Sequence, residues 1–231
     1  MTLPKVAEPA LLTDQVFAAL RASIMNGDMP AGHRLRIRDI AAQVGTSVMP
    51  VREAIRRLEE SGLAERVPHK GAVVRGLSYL ELAQVYEVRT LLEVEAAKLG
   101  AKRITAEEVD EMRGAYERMC ASIDARETVA YLDQDEEVLT ILYSASGNPV
   151  LVAQIHGLWE KCRSYKLVGA EAALQQEDGA TLRVFQSRLL EAAAGNQAAA
   201  AGKISRESLV SATARIRENL AVEASAAAPQ S

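Results

Sequence analysis

After Gly76 the apolar residues keep a helical period almost to the end of the chain, and a short stretch before it is the one place where that period fails. Apolar residues that recur every three or four positions belong to an amphipathic helix, whereas a half-buried strand alternates. A chain with this pattern must bury its apolar faces by packing helix on helix. Composition agrees, because 48% of the 231 residues are hydrophobic, which is enough for a core, while only 4% are aromatic. Alanine and leucine, both strong helix formers, are abundant. The expected fold class is mostly α.

Element ends can be placed from local chemistry. Ser78 and Glu81 form a capping box that opens a helix from Tyr79 to Arg103, and Thr105 with Glu108 opens the next, to about Ala125. Further helices are expected over Val129–Ala145, Val150–Tyr165, Leu182–Ala194 and Gln197–Val222, broken at Gly147-Asn148-Pro149, Gly169 and Gly195-Asn196. Before Gly76, the spacing of Val16, Leu20 and Ile24 predicts a helix from Thr13 that stops near Asn26-Gly27. A short helix from Ile37 to Val44 ends at Gly45, and Ser47 serves as N-cap of a third that ends near Ser61-Gly62. Leu63–Val67 and Ala72–Arg75 flank Pro68-His69-Lys70-Gly71 as a small hairpin. Domains are therefore expected over 1–77 and 78–222, followed by a tail at 223–231. Residues 1–10 and 222–231 read as disordered tails.

Charge is divided unevenly. The chain has a formal net charge of −4, yet residues 1–77 carry 11 Lys/Arg against 8 Asp/Glu, and the remainder carries 16 against 23. The basic excess sits in the first third, where a nucleic-acid partner is expected. Cys120 and Cys162 show no metal spacing and fit a reducing cytoplasm as small apolar residues. No apolar run approaches a membrane span, and the first residues lack a signal-peptide pattern. No nucleophile elbow, phosphate-binding glycine loop or Cys/His pairing is present, so an enzyme is not expected.

The third helix carries the sharpest functional signal. At about 100° per residue, Val51, Ala54, Ile55 and Leu58 form one stripe that must face a core. Val48, Met49, Arg52 and Arg56 fall on a separate arc. An apolar back and a front of two arginines with short first-turn side chains suit the major groove of DNA, where arginine can hold guanine O6 and N7 or clamp a phosphate. An ordinary solvated face would contain similar residues. The surrounding order of three helices and a hairpin favours the groove.

The runs Leu35-Arg36-Ile37-Arg38-Asp39-Ile40-Ala41 and Thr46-Ser47-Val48-Met49-Pro50-Val51-Arg52-Glu53-Ala54-Ile55-Arg56-Arg57-Leu58, with Gly62-Leu63 and Gly71-Ala72, resemble the GntR family of regulators, FadR-like subgroup. The resemblance covers about residues 11–76. It implies a winged helix-turn-helix whose DNA contacts come from Arg38, from Ser47, Val48, Met49 and Pro50, from Arg52, and from the wing at Lys70-Gly71. Arg56 joins them on the same arc, and Arg36, Arg66, Lys70 and Arg75 are backbone-contact candidates or solvated charges. Many members have arginine where Val48 stands, so the operator read here should differ from theirs.

A looser resemblance covers residues 78–222, through Val88-Arg89, Leu92-Glu93, Asp133 to Asp135 and Ser146-Gly147-Asn148-Pro149-Val150-Leu151. It implies the all-α effector bundle of that subgroup, in which an aspartate and three histidines often hold a divalent metal. Asp135 matches the aspartate, but Leu139 stands at the first histidine, Phe185 or Gln186 at the second, and Glu207 near the third. Of the three histidines, His33 and His69 lie in the first domain and His156 is left alone, so no metal and no cofactor are expected. The acidic run Asp133, Asp135, Glu136 and Glu137 has the donors for a hard cation but reads more simply as a solvated helix face. The ligand site expected is Arg89 with Leu139 and Phe185, joined by Asp135 and Asn148. Arg89 either meets the carboxylate of a small organic acid or pairs with Glu93 or Glu87, and Asn148 is better placed to cap the next helix than to touch ligand. The expected partners are a second copy of the chain, double-stranded operator DNA with an inverted repeat, and a carboxylic-acid effector, with no membrane. The alternative is a DNA-binding dimer whose helical domain only oligomerises.

Overall fold

The computed structural model describes residues 9–175 and 179–227, with side chains described for 12–175 and 180–218. The chain divides into two compact units, residues 1–76 and 77–231. The first holds α1 (Pro9–Met25), α2 (Ile37–Val44), α3 (Val48–Glu60), β1 (Ala64–Val67) and β2 (Gly71–Val74). The second holds α4 (Tyr79–Arg103), α5 (Ala106–Asp124), α6 (Thr128–Ser144), α7 (Pro149–Gln175), α8 (Gly179–Ala194) and α9 (Ala198–Ala227).

In the first unit, Val16, Leu20 and Ile24 of α1 and Val51, Ala54, Ile55 and Leu58 of α3 share one buried cluster with Leu35, Ile40 and Val74. The stripe that the period places on the back of α3 is thus the side that anchors it. Gly45 closes α2 in the left-handed region at φ 69°, where its N–H reaches the Ala41 carbonyl. A side chain would be strained there, so glycine permits the tight turn Gly45-Thr46-Ser47 into α3. Strands β1 and β2 pair antiparallel from Ala64–Val74 to Val67–Gly71. Arg34 adds an isolated bridge to Val73. A one-residue bridge has no alternating run to reveal it in the sequence. Contrary to expectation, Ser47 makes no side-chain cap hydrogen bond on α3.

In the second unit, α4 lies at the centre: it packs along α9 and also touches α6, α7 and α8. Both expected capping boxes close. Ser78 N–H donates to Glu81 at 3.0 Å and Glu81 N–H to Ser78 Oγ at 3.2 Å, while Thr105 N–H donates to Glu108 at 2.8 Å and Glu108 N–H to Thr105 Oγ1 at 3.2 Å. A Cβ on Gly100 would stand 1.9 Å from the Leu142 carbonyl oxygen, so this glycine lets α4 and α6 approach backbone to backbone. Met112, Val138, Leu142, Ile155, Leu189 and Ala193 fill the core between the helices.

Besides α8, which begins at Gly179 and not at Leu182, three boundaries differ from expectation. Gly169 does not break α7, which runs unbroken to Gln175. Glycine inside a helix costs only about 1 kcal/mol relative to alanine, and Ala170, Ala172 and Ala173 carry the helix onward. The segment expected to be a tail after Val222 is helical to Ala227, as its alanine content favours. At the other end α1 begins at Pro9, before Thr13. The remaining tail positions, 1–8 and 228–231, lie outside the described residues. No helix among the described residues is long and apolar enough to cross a membrane.

Candidate functional site

Two features stand out: the exposed arc of α3 in the first unit and a cavity inside the second. On α3, burial of Val51, Ala54, Ile55 and Leu58 turns the opposite arc outward. Phe17 and Asp14 of α1 hold Arg57, by stacking at 4.3 Å and by an ion pair. The outward arc then presents Val48 at 40% and Met49 at 66% exposure, with Arg52 also exposed and making no hydrogen bond or ion pair among the described residues. Arg56 is different. Its guanidinium is gripped by Glu53 and Glu60, and its charged form is favoured above all by the hydrogen bond to Glu53. Arg36 stands 3.7 Å from Asp39, and Arg66 is paired with Glu59 at 3.0 Å. Arg38 and Lys70 are exposed without such partners among the described residues, and Pro50 is half-buried. Gly71, at φ 78°, shapes the hairpin tip next to Lys70.

The second unit carries a pocket of about 590 Å³, partly open to solvent, whose wall includes Arg89, Asp135, Leu139, Phe185, Lys166 and Tyr131. Four of the five residues expected at a ligand site therefore share one wall. Asn148 is not among its lining residues; its Oδ1 accepts from Leu151 N–H at 3.1 Å and caps α7. Arg89 both lines the cavity and pairs with Glu93: its Nε donates to Glu93 at 2.6 Å, and its guanidinium lies 4.4 Å from the Tyr86 ring centre. Glu93 also accepts from Trp159 Nε1 at 2.9 Å and from Tyr143 Oη at 3.2 Å. Burial opposes the Arg89 charge, but the Glu93 carboxylate, helped by the other groups around it, holds the guanidinium well above its ordinary pKa.

Lys166 enters the cavity from α7, 3.0 Å from Glu136 and 3.5 Å from Asp135. Burial works against its charge, but Glu136 and Asp135 raise its pKa. Asp135 is shifted upward, mainly by its own burial against the pull of Lys166, and it accepts from Gln186 Nε2. Glu136 resists burial through Lys166 and Arg163 and is shifted downward. The acidic run on α6 is therefore not simply a solvated face. Asp135 is buried, Asp133 and Glu136 receive Arg163, and Glu137 meets Arg118 at 2.8 Å.

These residues do not fit the metal site that the family resemblance implies. Leu139 offers no donor, Gln186 is already committed to Asp135, and an ammonium stands where a dication would need to approach the carboxylate. No cluster of three His, Cys, Asp or Glu with metal-binding geometry occurs among the described residues. His156 lies 3.0 Å from Thr140 Oγ1 and packs on Trp159. The residues that sequence reasoning missed are Lys166 and Arg163, and the Trp159 and Tyr143 donors to Glu93. A signal for the first pair is present: two basic residues three apart on α7, able to face a four-residue acidic run on α6.

Comparison with known proteins places both units. Residues 12–74 match the model of the bacterial regulatory proteins of the gntR family, and residues 84–211 match the FCD domain. A transcription regulator of the helix-turn-helix type from the TAR-I ttuE-ttuC' intergenic region of Agrobacterium vitis is 34% identical over 123 residues, which is 52% of this chain and 72% of that one. The gluconate operon transcriptional repressor of Bacillus subtilis is 40% identical over 74 residues, 32% of this chain and 30% of that one. The solved structure of McbR from E. coli superposes with a TM-score of 0.75 at 22% identity and covers 94% of this chain and 100% of that one, which shows a shared fold. The class is thus a DNA-binding transcription regulator and not an enzyme. The chain belongs to the GntR family, in the branch that carries an FCD domain.

The Glu93 cluster generates a stability prediction. Glu93→Gln keeps an acceptor for Trp159 and Tyr143 but leaves a buried guanidinium without its countercharge. It should cost about 3–5 kcal/mol in urea unfolding. Adding Arg89→Met should recover a good part of that loss, because the buried charge is then gone. Equal stability of Glu93→Gln and wild type would show that the pair does not hold the bundle.

Proposed function

We propose that this regulator is a ligand-responsive repressor of a metabolic operon, and that a small organic acid bound in the helical unit controls its hold on DNA. The observation that carries this reading is the pocket of about 590 Å³ whose wall brings Arg89 and Lys166 beside Leu139 and Phe185. Its size suits a small metabolite. In this reading the acid head lies toward Lys166 and Arg89, its hydrocarbon body lies against Leu139 and Phe185, and Asp135 tunes Lys166. Asn148 takes no part, since it caps α7. On the DNA side, Ser47, Val48, Met49, Pro50 and Arg52 enter the major groove. Arg36, Arg38, Lys70 and Gly71 contact the backbone. Arg56, paired with Glu53 and Glu60 on its own helix, lies on the same arc beside the groove. A cytoplasmic homodimer would present two copies of α3 to an inverted repeat.

The rival reading, in which the helical unit only oligomerises, draws on one observation: Arg89 and Lys166 already have carboxylate partners. A thermal-shift screen of small carboxylic acids separates the two. A ligand at about 100 times its Kd should raise the melting temperature by about 5–10 °C. The shift should persist in EDTA, because the donor set does not suit a transition metal. If no acid shifts the melting temperature, or if the shift vanishes with chelator, the cavity does not work in this way.

On DNA, Arg52→Ala should weaken operator binding by about 1–3 kcal/mol for each half-site. Wild-type affinity should fall steeply with salt as the protein's backbone contacts release counterions. Fluorescence anisotropy at two salt concentrations reads both effects. Unchanged affinity of Arg52→Ala would remove α3 from the groove.

A further inference from the structure

Val48 and Met49 are an anomaly on a helix that otherwise sorts its side chains well. Every apolar residue on the back of α3 is buried, yet these two stand outward in its first turn, 40% and 66% exposed. Both remain in the exposed class among the described residues of the first unit, Met49 the more so. They share the arc with Arg52, which lies one turn beyond Val48 and has no carboxylate partner among the described residues, whereas Arg56 has two. An exposed apolar pair beside an uncompensated cation fits a polyanion that offers an apolar group at contact distance. In the major groove, the group that meets this description is the C5-methyl of thymine. The groove edges of guanine, cytosine and adenine present polar donors and acceptors instead. Arginine in this turn would ask for guanine; valine and methionine lack the donors that read it.

From this placement we infer that Val48 and Met49 read thymine methyl groups in each operator half-site, next to the base or phosphate held by Arg52. The inference rests on the proposed placement of α3 in the groove and names what that helix reads there. Val48 is short and stiff, and so suits a methyl close to the helix axis. Met49 is long, flexible and polarizable, and so can follow a methyl one step further along the groove. Selectivity arises because cytosine or uracil at the same step leaves the apolar side chains against water or a polar edge.

The experiment uses a duplex enriched by the full-length wild-type protein from a random-sequence library. Each thymine of that duplex is replaced in turn by deoxyuridine, which deletes the methyl and leaves base pairing intact. Burying one methyl corresponds to about a fourfold change in affinity. Anisotropy should therefore show about a fourfold loss for uracil at one or two symmetric positions per half-site, and little effect at the other thymines. The variant Val48→Ser/Met49→Ser should bind the thymine and uracil duplexes equally, with an unchanged melting temperature because both side chains are exposed. Arg52→Ala should weaken binding to both duplexes while keeping their ratio. If every uracil duplex binds like the thymine duplex, or if the double variant still discriminates, the inference is overturned while the DNA-contacting role of α3 stands. If no duplex is enriched at all, both fall.

Discussion

The helical unit is organised around one buried ion pair. Arg89 and Glu93 lie one turn apart on α4, at 6% and 2% side-chain exposure, with 2.6 Å between Nε and Oε1. An isolated charge in such a place would be prohibitively costly, so both must be satisfied together. Glu93 is completed by Tyr143 from α6 and Trp159 from α7, and Arg89 by the Tyr86 ring. Three helices are thus held in register by directional contacts to a single carboxylate. Hydrophobic packing alone could slide by a turn; this cluster cannot.

The same arrangement leaves a cavity beside it. Helices pinned at polar points do not close every gap, and the wall near Gly169, Ala170 and Ala173 is built from small residues. Lys166 and Asp135 then form a second, looser pair at 3.5 Å, with Asp135 also held by Gln186 and Lys166 also held by Glu136. One pair is rigid and fully partnered. The other shares its charge among several groups. In the first unit the logic is reversed. The apolar back of α3 is locked into a core, while its front keeps two apolar side chains exposed and Arg52 unpaired among the described residues.

Much of this is legible in the sequence because it is local. Capping boxes at Ser78 and Thr105, the stripe at Val51, Ala54, Ile55 and Leu58, and the Arg89–Glu93 spacing are all properties of a single helix. What is not legible depends on which helices meet. Lys166 and Asp135 are 31 residues apart, and neither announces the other, so the acidic run on α6 reads as a solvated face until α7 is seen beside it. Gly169 reads as a break because local propensity disfavours it, yet the helix continues where the following alanines support it. Asn148 is a case where two local signals compete, and its Oδ1 takes the capping role toward Leu151 N–H. It belongs to a motif shared with effector domains, which points to the ligand site, although its position before Pro149 makes capping the simpler role.

Control of DNA binding requires that occupancy of the cavity change the hold on the operator. This is tested most directly by titrating the operator duplex with full-length protein in the presence and absence of an acid that binds the cavity. The two readouts, ligand binding and operator affinity, must be made on the same sample. Saturating ligand should weaken operator affinity by at least about fivefold, the lower end of ordinary allosteric coupling. Ligand that binds in the cavity while operator affinity stays the same would contradict that link.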